Sequence, residues 1–335
     1  MIRSMKLMIC AVLMCVTASA QSLNGAGATF PNPIYQKWFT QYSAAHPGVR
    51  INYQSLGSGA GIKQLIAGTV DFGASDGPMT DEQISQHKGK VLHIPTVLGA
   101  VVPAYNIPGV KQELKFTPEI LSGIFMGKIN NWGDPAIAKA NPGVKFPAQS
   151  IVVVHRSDGS GTTYIFTDYL SKVSTEWNSS VGKGTSVKWP VGLGGKGNEG
   201  VAGTVRQIEG AIGYVELIYA VQNNISYGVV RNKSGNFVKA SIDSTTAAAA
   251  AAAAHMPSDY RVSITNADGK NSYPIASFTW LLIPQQSRDA NKGKVLRDFL
   301  TWMLNEGENQ VSMLTYAPLP KEVVKKLQDT VSTIR

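Results

Sequence analysis

Three short turns in this 335-residue chain share one chemical design. The first is Gly25-Ala26-Gly27-Ala28-Thr29-Phe30-Pro31, ahead of a helical stretch, Ile34 to Tyr42. The second is Gly57-Ser58-Gly59-Ala60-Gly61, ahead of a helix at Ile62 to Ala67. The third is Ser157-Asp158-Gly159-Ser160-Gly161-Thr162-Thr163, ahead of a helix that runs to Val173. Each sets glycines and a hydroxyl side chain at the start of a helix. A helix start carries unpaired backbone N–H groups and about half a positive charge. Glycine lets the backbone approach an ion, and Ser or Thr adds an O–H donor. Such a turn can cradle an anion; it can equally be no more than a turn and a helix cap. Three of them, with Arg156 directly before the third, point toward an oxyanion. A guanidinium can bond two oxygens at once, and Asp158 is placed to hold it.

Asp76 is the odd member, in Asp71-Phe72-Gly73-Ala74-Ser75-Asp76-Gly77-Pro78. A carboxylate repels an anion unless the anion carries a proton for it to accept. Phosphate near neutral pH is protonated and sulfate is not, so a buried acceptor would select between them. Asp76 has a second reading, as the cap of the turn before Pro78.

These residues need a frame. Arg50 to Gln54, the second turn, its helix and a strand at Val70 to Ala74 make a βαβ pattern. Further strands are expected at Val97 to Tyr105, Ile151 to His155, Ala211 to Val215 and Thr279 to Ile283. Helices are expected at Thr117 to Met126, Gly293 to Asn305 and Lys321 to Ile334. The eight alanines Ala247 to Ala254 read as helix, capped by Ser244 or Thr245 and ended by His255-Met256-Pro257. Arg156 falls at the C-terminal end of its strand, where open α/β sheets bind ligands.

The amino terminus reads as a cleaved secretory signal. Arg3 and Lys6 precede an apolar core, Leu7 to Val16, and Thr17-Ala18-Ser19-Ala20 places the cut after Ala20. The core is shorter than the ~20 residues a membrane span needs. Both cysteines, Cys10 and Cys15, lie inside it, so the mature chain would have neither disulfides nor thiol chemistry. A lipid on Cys15 would need a small residue where Met14 stands. About 315 mature residues suggest two domains. The formal charge of +9 falls to +7 without Arg3 and Lys6. The lysines are scattered, with Lys325-Lys326 the only adjacent pair, so no nucleic-acid stripe is expected. Gly195-Lys196 is followed by Gly197, which excludes a Walker A loop. No Gly-x-Ser-x-Gly elbow surrounds Ser58 or Ser160. The five histidines make no i, i+4 pair, against a zinc site. His155 could act as a base for Ser160, with no triad to complete it.

Taken with Trp189-Pro190-Val191-Gly192-Leu193-Gly194-Gly195-Lys196-Gly197 and Gly210-Ala211-Ile212-Gly213-Tyr214-Val215-Glu216, the turns around Thr29, Asp76 and Arg156 resemble one family. It is that of the bacterial periplasmic phosphate-binding proteins of ABC phosphate transporters, type II periplasmic binding proteins. The likeness runs from about Leu23 to the C-terminus. It implies an α/β fold of two lobes, each a central mostly parallel sheet flanked by helices, with a two-strand hinge. Lobe one would be residues 23–97 plus 277–335 and lobe two residues 98–276. The crossings would fall near Pro95 to Gly99 and Pro274 to Phe278. The resemblance implies phosphate ligands at Thr29, Phe30 (by its backbone N–H), Ser58, Arg156, Ser160, Gly161 and Thr162. It makes Asp76 the acceptor of the ligand proton and Asp158 the partner of Arg156. Gly59, where some members have serine, and the alanine run depart from the family pattern. It further implies a periplasmic monomer that serves an inner-membrane permease, with no cofactor, no metal and no catalysis. The alternatives are a binder of sulfate or molybdate, a secreted phosphatase or other hydrolase using Ser58 or Ser160, and a surface adhesin.

Overall fold

The computed structural model describes residues 21–253 and 256–335. The expected signal segment, residues 1–20, and the expected helix end at His255 lie outside the described residues.

Strands and helices alternate from the start: β1 (Gln21–Gly27), α1 (Asn32–Ala45), β2 (Val49–Ser55), α2 (Ser58–Ala67), β3 (Phe72–Ser75) and the short α3 (Asp81–Ser85). The long β4 (Val91–Asn106) leads to β5 (Lys115–Phe116), α4 (Pro118–Phe125), α5 (Pro135–Ala140), β6 (Val152–Arg156) and α6 (Gly161–Val173). Then come α7 (Thr175–Ser180), β7 (Leu193–Gly195), α8 (Gly197–Gln207), β8 (Ala211–Glu216) and α9 (Leu217–Gln222). Short strands β9 (Ser226–Tyr227), β10 (Val229–Arg231) and β11 (Phe237–Val238) precede α10 (Ile242–Ala253). The chain closes with β12 (Ala276–Pro284), α11 (Ala290–Asn305), a 3-10 segment Gly307–Leu314 and α12 (Lys321–Ser332).

One curled sheet organises all of this, in the order β2-β1-β3-β12-β4-β8-β6-β7, with β9 on the far end of β4. β1, β2 and β3 run parallel, as do β8, β6 and β7. β4 is shared between the two groups. Its first part pairs antiparallel with β12, from Val91↔Pro284 to Ala100↔Ala276. Its second part pairs antiparallel with β8, from Val101↔Glu216 to Asn106↔Ala211. The sequence of β4 suits this place: it is buried from Val91 to Tyr105, and a strand covered on both faces must be apolar without alternation. The result is an α/β fold of two lobes, with helices flanking each half of the sheet.

Pro95 sits inside this central strand, where a proline removes a ladder bond. The ladder shifts register there: Trp280 pairs with Pro95 and Thr279 with Val97, leaving Thr96 as the extra residue. Such a bulge re-aims side chains. Thr96 Oγ1 lies 2.8 Å from the Tyr35 hydroxyl, and Thr279 is turned toward Asp76.

Several expected boundaries move. Gly25, Ala26 and Gly27 belong to β1, so the first turn is only Ala28 to Pro31. α2 begins at Ser58 rather than Ile62, so Gly59 and Gly61 are helical. The alanine helix begins at Ile242, earlier than expected. Its cap is Ser241 rather than Ser244 or Thr245: Ser244 N–H donates to Ser241 Oγ at 3.1 Å, and Ser241 N–H to Ser244 Oγ at 3.0 Å. The reciprocal pair satisfies two N–H groups at once, which a single cap at Ser244 would not.

Candidate anion-binding site

The three turns meet where the sheet curls between the lobes. Each follows the C-terminal end of a parallel strand: β1 leads to α1, β2 to α2 and β6 to α6. Thr29, Phe30, Ser58, Asp76, Arg156, Ser160, Gly161 and Thr162 are all buried. The halves touch directly. Gly59 N–H donates to Gly159 O at 2.8 Å, and Gly161 N–H donates to Ser58 Oγ at 3.0 Å. Two glycines permit this approach. A Cβ at Gly59 would lie 3.0 Å from Gly159 Cα, and one at Gly161 would lie 2.4 Å from Ser58 Oγ.

A fourth helix start joins them, one that no local pattern in the sequence marks. α8 begins at Gly197, and Gly197 N–H donates to Asp158 Oδ1 at 3.0 Å. Asn198, fully buried, follows it.

The hydrogen bonds fix which way each hydroxyl points. A Ser or Thr oxygen can accept two bonds and donate one. Ser58 Oγ accepts from Asp76 N–H at 3.2 Å and from Gly161 N–H. Thr29 Oγ1 accepts from Asn198 Nδ2 at 2.8 Å and from Asn198 N–H at 3.2 Å. Thr162 Oγ1 accepts from Asn198 Nδ2 at 3.1 Å and from Arg156 Nη1 at 3.2 Å. With both acceptor positions filled, each of the three hydroxyls can act only as a donor; the Ser58 O–H makes a long bond to Asp76 Oδ2, and those of Thr29 and Thr162 are left to give. Ser160 caps α6 by accepting from Thr163 N–H at 3.0 Å. Phe30 O accepts from the Tyr316 hydroxyl at 2.6 Å, and Thr29 O from the Tyr219 hydroxyl at 2.6 Å, which hold the first turn in place.

Asp76 is set differently. Its Oδ1 accepts from Thr279 Oγ1 at 2.8 Å, and its Oδ2 has only a long bond from Ser58 Oγ at 3.4 Å. Burial pushes its carboxyl up to about 7, against the pull of Thr279, Arg156 and Ser58. The reading of Asp76 as a turn cap does not hold, since Ser75 Oγ takes the Gly77 N–H and the carboxyl faces the cluster.

Arg156 is clamped by Asp158, Nε to Oδ1 at 2.8 Å and Nη2 to Oδ2 at 2.5 Å. Burial raises the Asp158 carboxyl, but the Arg156 fork outweighs it and holds the group below the usual carboxylate range. Arg156 N–H also donates to the Tyr214 hydroxyl at 3.1 Å. With Asp158 neutralising Arg156, the cluster has no large positive charge. An anion here would be held chiefly by oriented N–H and O–H groups, whose strength rises in a dry site.

His155 does not serve Ser160. Its Nδ1 lies 3.0 Å from Arg156 O, and its ring stacks on Trp189 at 4.9 Å. Among the described residues, no group of three or more His, Cys, Asp or Glu could hold a metal ion, and no helix is long and apolar enough to cross a membrane.

Asn198, Thr279, Tyr214 and Tyr219 are the polar residues of the cluster that the sequence did not reveal. Tyr214 lies within one of the two glycine-rich motifs that carry the resemblance, and Asn198 directly follows the other, a usable signal in both cases. Thr279 had none: it lies 203 residues from the carboxylate it bonds.

A family model described as the PBP superfamily domain matches residues 16–306. The chain is 47% identical over 327 residues to the phosphate-binding protein PstS of Pasteurella multocida (strain Pm70), covering 97% of this chain and 94% of that one. It is 47% identical over 307 residues to the phosphate-binding protein PstS of Xylella fastidiosa (strain Temecula1), covering 91% and 84%. Among solved structures, a phosphate-binding protein from Stenotrophomonas maltophilia shares the fold, with a TM-score of 0.71 at 22% identity over 92% of this chain and 93% of that one. On this match along nearly its whole length, the chain belongs to the PstS-type phosphate-binding proteins of the PBP superfamily.

Proposed function

We propose that this chain binds one inorganic phosphate ion between its lobes and delivers it to the permease of an ABC transporter. The observation that carries the reading is the polarity of the cluster. Ser58, Thr29 and Thr162 are fixed as donors, Arg156 adds charged donors, and Asp76 stands among them as an acceptor. A tetrahedral oxyanion with a proton fits that arrangement. Sulfate, lacking the proton, would set its charge against the Asp76 carboxylate. Phe30 and Gly161 add backbone N–H groups, with Gly161 sharing its bond between Ser58 and the ion. Ser160 shapes the start of α6 by taking the Thr163 N–H, which leaves its own O–H as a further donor.

The lobes in this reading are residues 23–97 with 277–335, and residues 98–276, hinged where β4 and β12 run side by side. Binding is closure of one lobe on the other around the ion. The chain acts as a monomer in the periplasm, after removal of residues 1–20. It performs no chemistry on its ligand: the Ser58 and Ser160 oxygens are engaged by backbone N–H groups, and the His155 ring is turned to Trp189.

Calorimetric titration of the phosphate-stripped chain from residue 21 onward tests this. The expected outcome at pH 8, where Asp76 is ionised, is tight one-to-one binding that excess sulfate does not disturb. Arg156→Ala, which removes charged hydrogen bonds, should lower affinity by about 1.5–3 kcal/mol. Absence of phosphate binding, or equal competition by sulfate, would overturn the reading.

A further inference from the structure

Asn198 occupies a position from which it reaches both sides of the cleft. It is fully buried in the first turn of α8. Its Oδ1 accepts from the Glu216 N–H at 2.9 Å. A backbone N–H can only donate, so this bond fixes the amide and turns Nδ2 toward the threonines. There Nδ2 donates to Thr29 Oγ1 at 2.8 Å and to Thr162 Oγ1 at 3.1 Å. Thr29 precedes α1 in one half of the molecule, and Thr162 lies in α6 of the other.

We infer that Asn198 is a positioning residue that locks both threonine hydroxyls as donors toward the bound oxyanion and joins them across the cleft. This rests on the phosphate reading of the site. Without Nδ2, each threonine oxygen regains a free lone pair and its O–H can rotate. A freed hydroxyl can then accept a hydrogen bond from an O–H of the ligand as well as donate one. The site loses part of its preference for the ion with fewer protons, and the loss must depend on pH. The charged and titratable groups around it are Arg156 and Asp158 beside β6, Glu199 on α8, Glu216 ending β8, Tyr219 on α9 and Asp76 after β3. All are common to the native chain and its variant, so they cancel in the ratio of their affinities.

The test titrates phosphate into the native chain, Asn198→Ala, Thr29→Val and the double variant, at pH 5.5 and 8.5. Circular dichroism melts of the phosphate-free proteins check folding. Asn198→Ala should lose about tenfold or more in affinity at pH 8.5. It should lose clearly less at pH 5.5, where phosphate carries its second proton. At pH 8.5 Asn198→Ala should cost less in the Thr29→Val background than in the native chain, because its effect through Thr29 is already gone and only the part through Thr162 remains. Equal losses at both pH values together with additive effects would assign Asn198 a purely structural role and overturn the inference. So would affinities within about threefold of the native chain throughout. Should the alanine variant fail to fold, the isosteric Asn198→Asp answers instead. Its carboxylate draws both hydroxyls away, and protonation at acid pH should restore binding toward the native value; a constant deficit overturns the inference. A native chain that takes no phosphate overturns both this inference and the reading beneath it.

Discussion

Burial pushes the Asp76 carboxyl up to about 7, and in the proposed site its protonation would govern how different anions are met. Around neutrality, a neutral carboxyl with a doubly charged phosphate and a carboxylate with a singly charged one hold the same number of protons. Either pairing leaves one proton between the two oxygens. Sulfate has no proton to share, so only the neutral carboxyl can meet it. Raising pH through about 7 removes that form. Competition by sulfate should therefore weaken from pH 6 to pH 8 in the native chain. Asp76→Asn presents an amide donor at every pH. It should gain sulfate affinity, lose the pH dependence of competition, and lose discrimination more than it loses phosphate binding. Competition calorimetry at the two pH values reads all of this. Sulfate competition that is the same at both, with no gain in the variant, would remove Asp76 from selectivity.

Helices bring these residues together, and their packing is limited by backbone rather than side chains. The starts of α2 and α6 meet at Gly59 and Gly159, with no side chain between them. Gly59 lies within α2. Alanine there would favour the helix by up to about 1 kcal/mol while pushing against Gly159 Cα. The two effects have opposite signs. Gly59→Ala should leave the phosphate-free melting temperature unchanged or higher, yet lower phosphate affinity by up to about tenfold, as overpacking of a tight contact does. Melting curves and titration together check it; unchanged affinity would mean that this contact does not limit closure. The same helices explain what the sequence could and could not disclose. Strands of β-branched residues such as Val152 to Val154, and helix starts marked by Ser160 or Thr117, announce themselves locally. α8 does not: Gly197, Asn198, Glu199 and Gly200 show no apolar period, and no side chain caps its first turn. Asn198 was therefore hidden although it touches two expected ligands. Thr279 was hidden because a bulge at Thr96 aims it, and register between distant strands leaves no mark in local spacing.

Among the described residues of the whole molecule, folding buries more carboxyls that gain protons than imidazoles that lose them. Glu308, whose Oε2 accepts from Leu319 N–H at 2.9 Å, is pushed up by burial to about 8. Burial likewise raises Asp76 to about 7 and lifts Glu216 well above the usual carboxylate range. Each keeps a proton in the folded chain that it would lose in the unfolded one. Stability from such a group is present below its ordinary value and is lost as pH rises through the folded one. His93 works in the opposite direction. Burial lowers it to about 4, its Nε2 accepting from Met79 N–H at 3.1 Å, so its contribution is lost as pH falls below about 6.5. Asp168 is held at about 2, its burial outweighed by bonds from Lys183, Ser263 and Thr265, and it stays charged throughout this range. Between pH 5 and 8 the three carboxyls outweigh the one imidazole. The phosphate-free chain should therefore melt at a lower temperature at pH 8 than at pH 5. Glu308→Gln, which keeps the shape and cannot ionise, should flatten that slope by removing one of its three sources. Thermal melts at pH 5, 6.5 and 8 measure both. A melting temperature that climbs with pH over this range, or a slope that the variant leaves intact, would show that these buried carboxyls do not govern the stability of the fold.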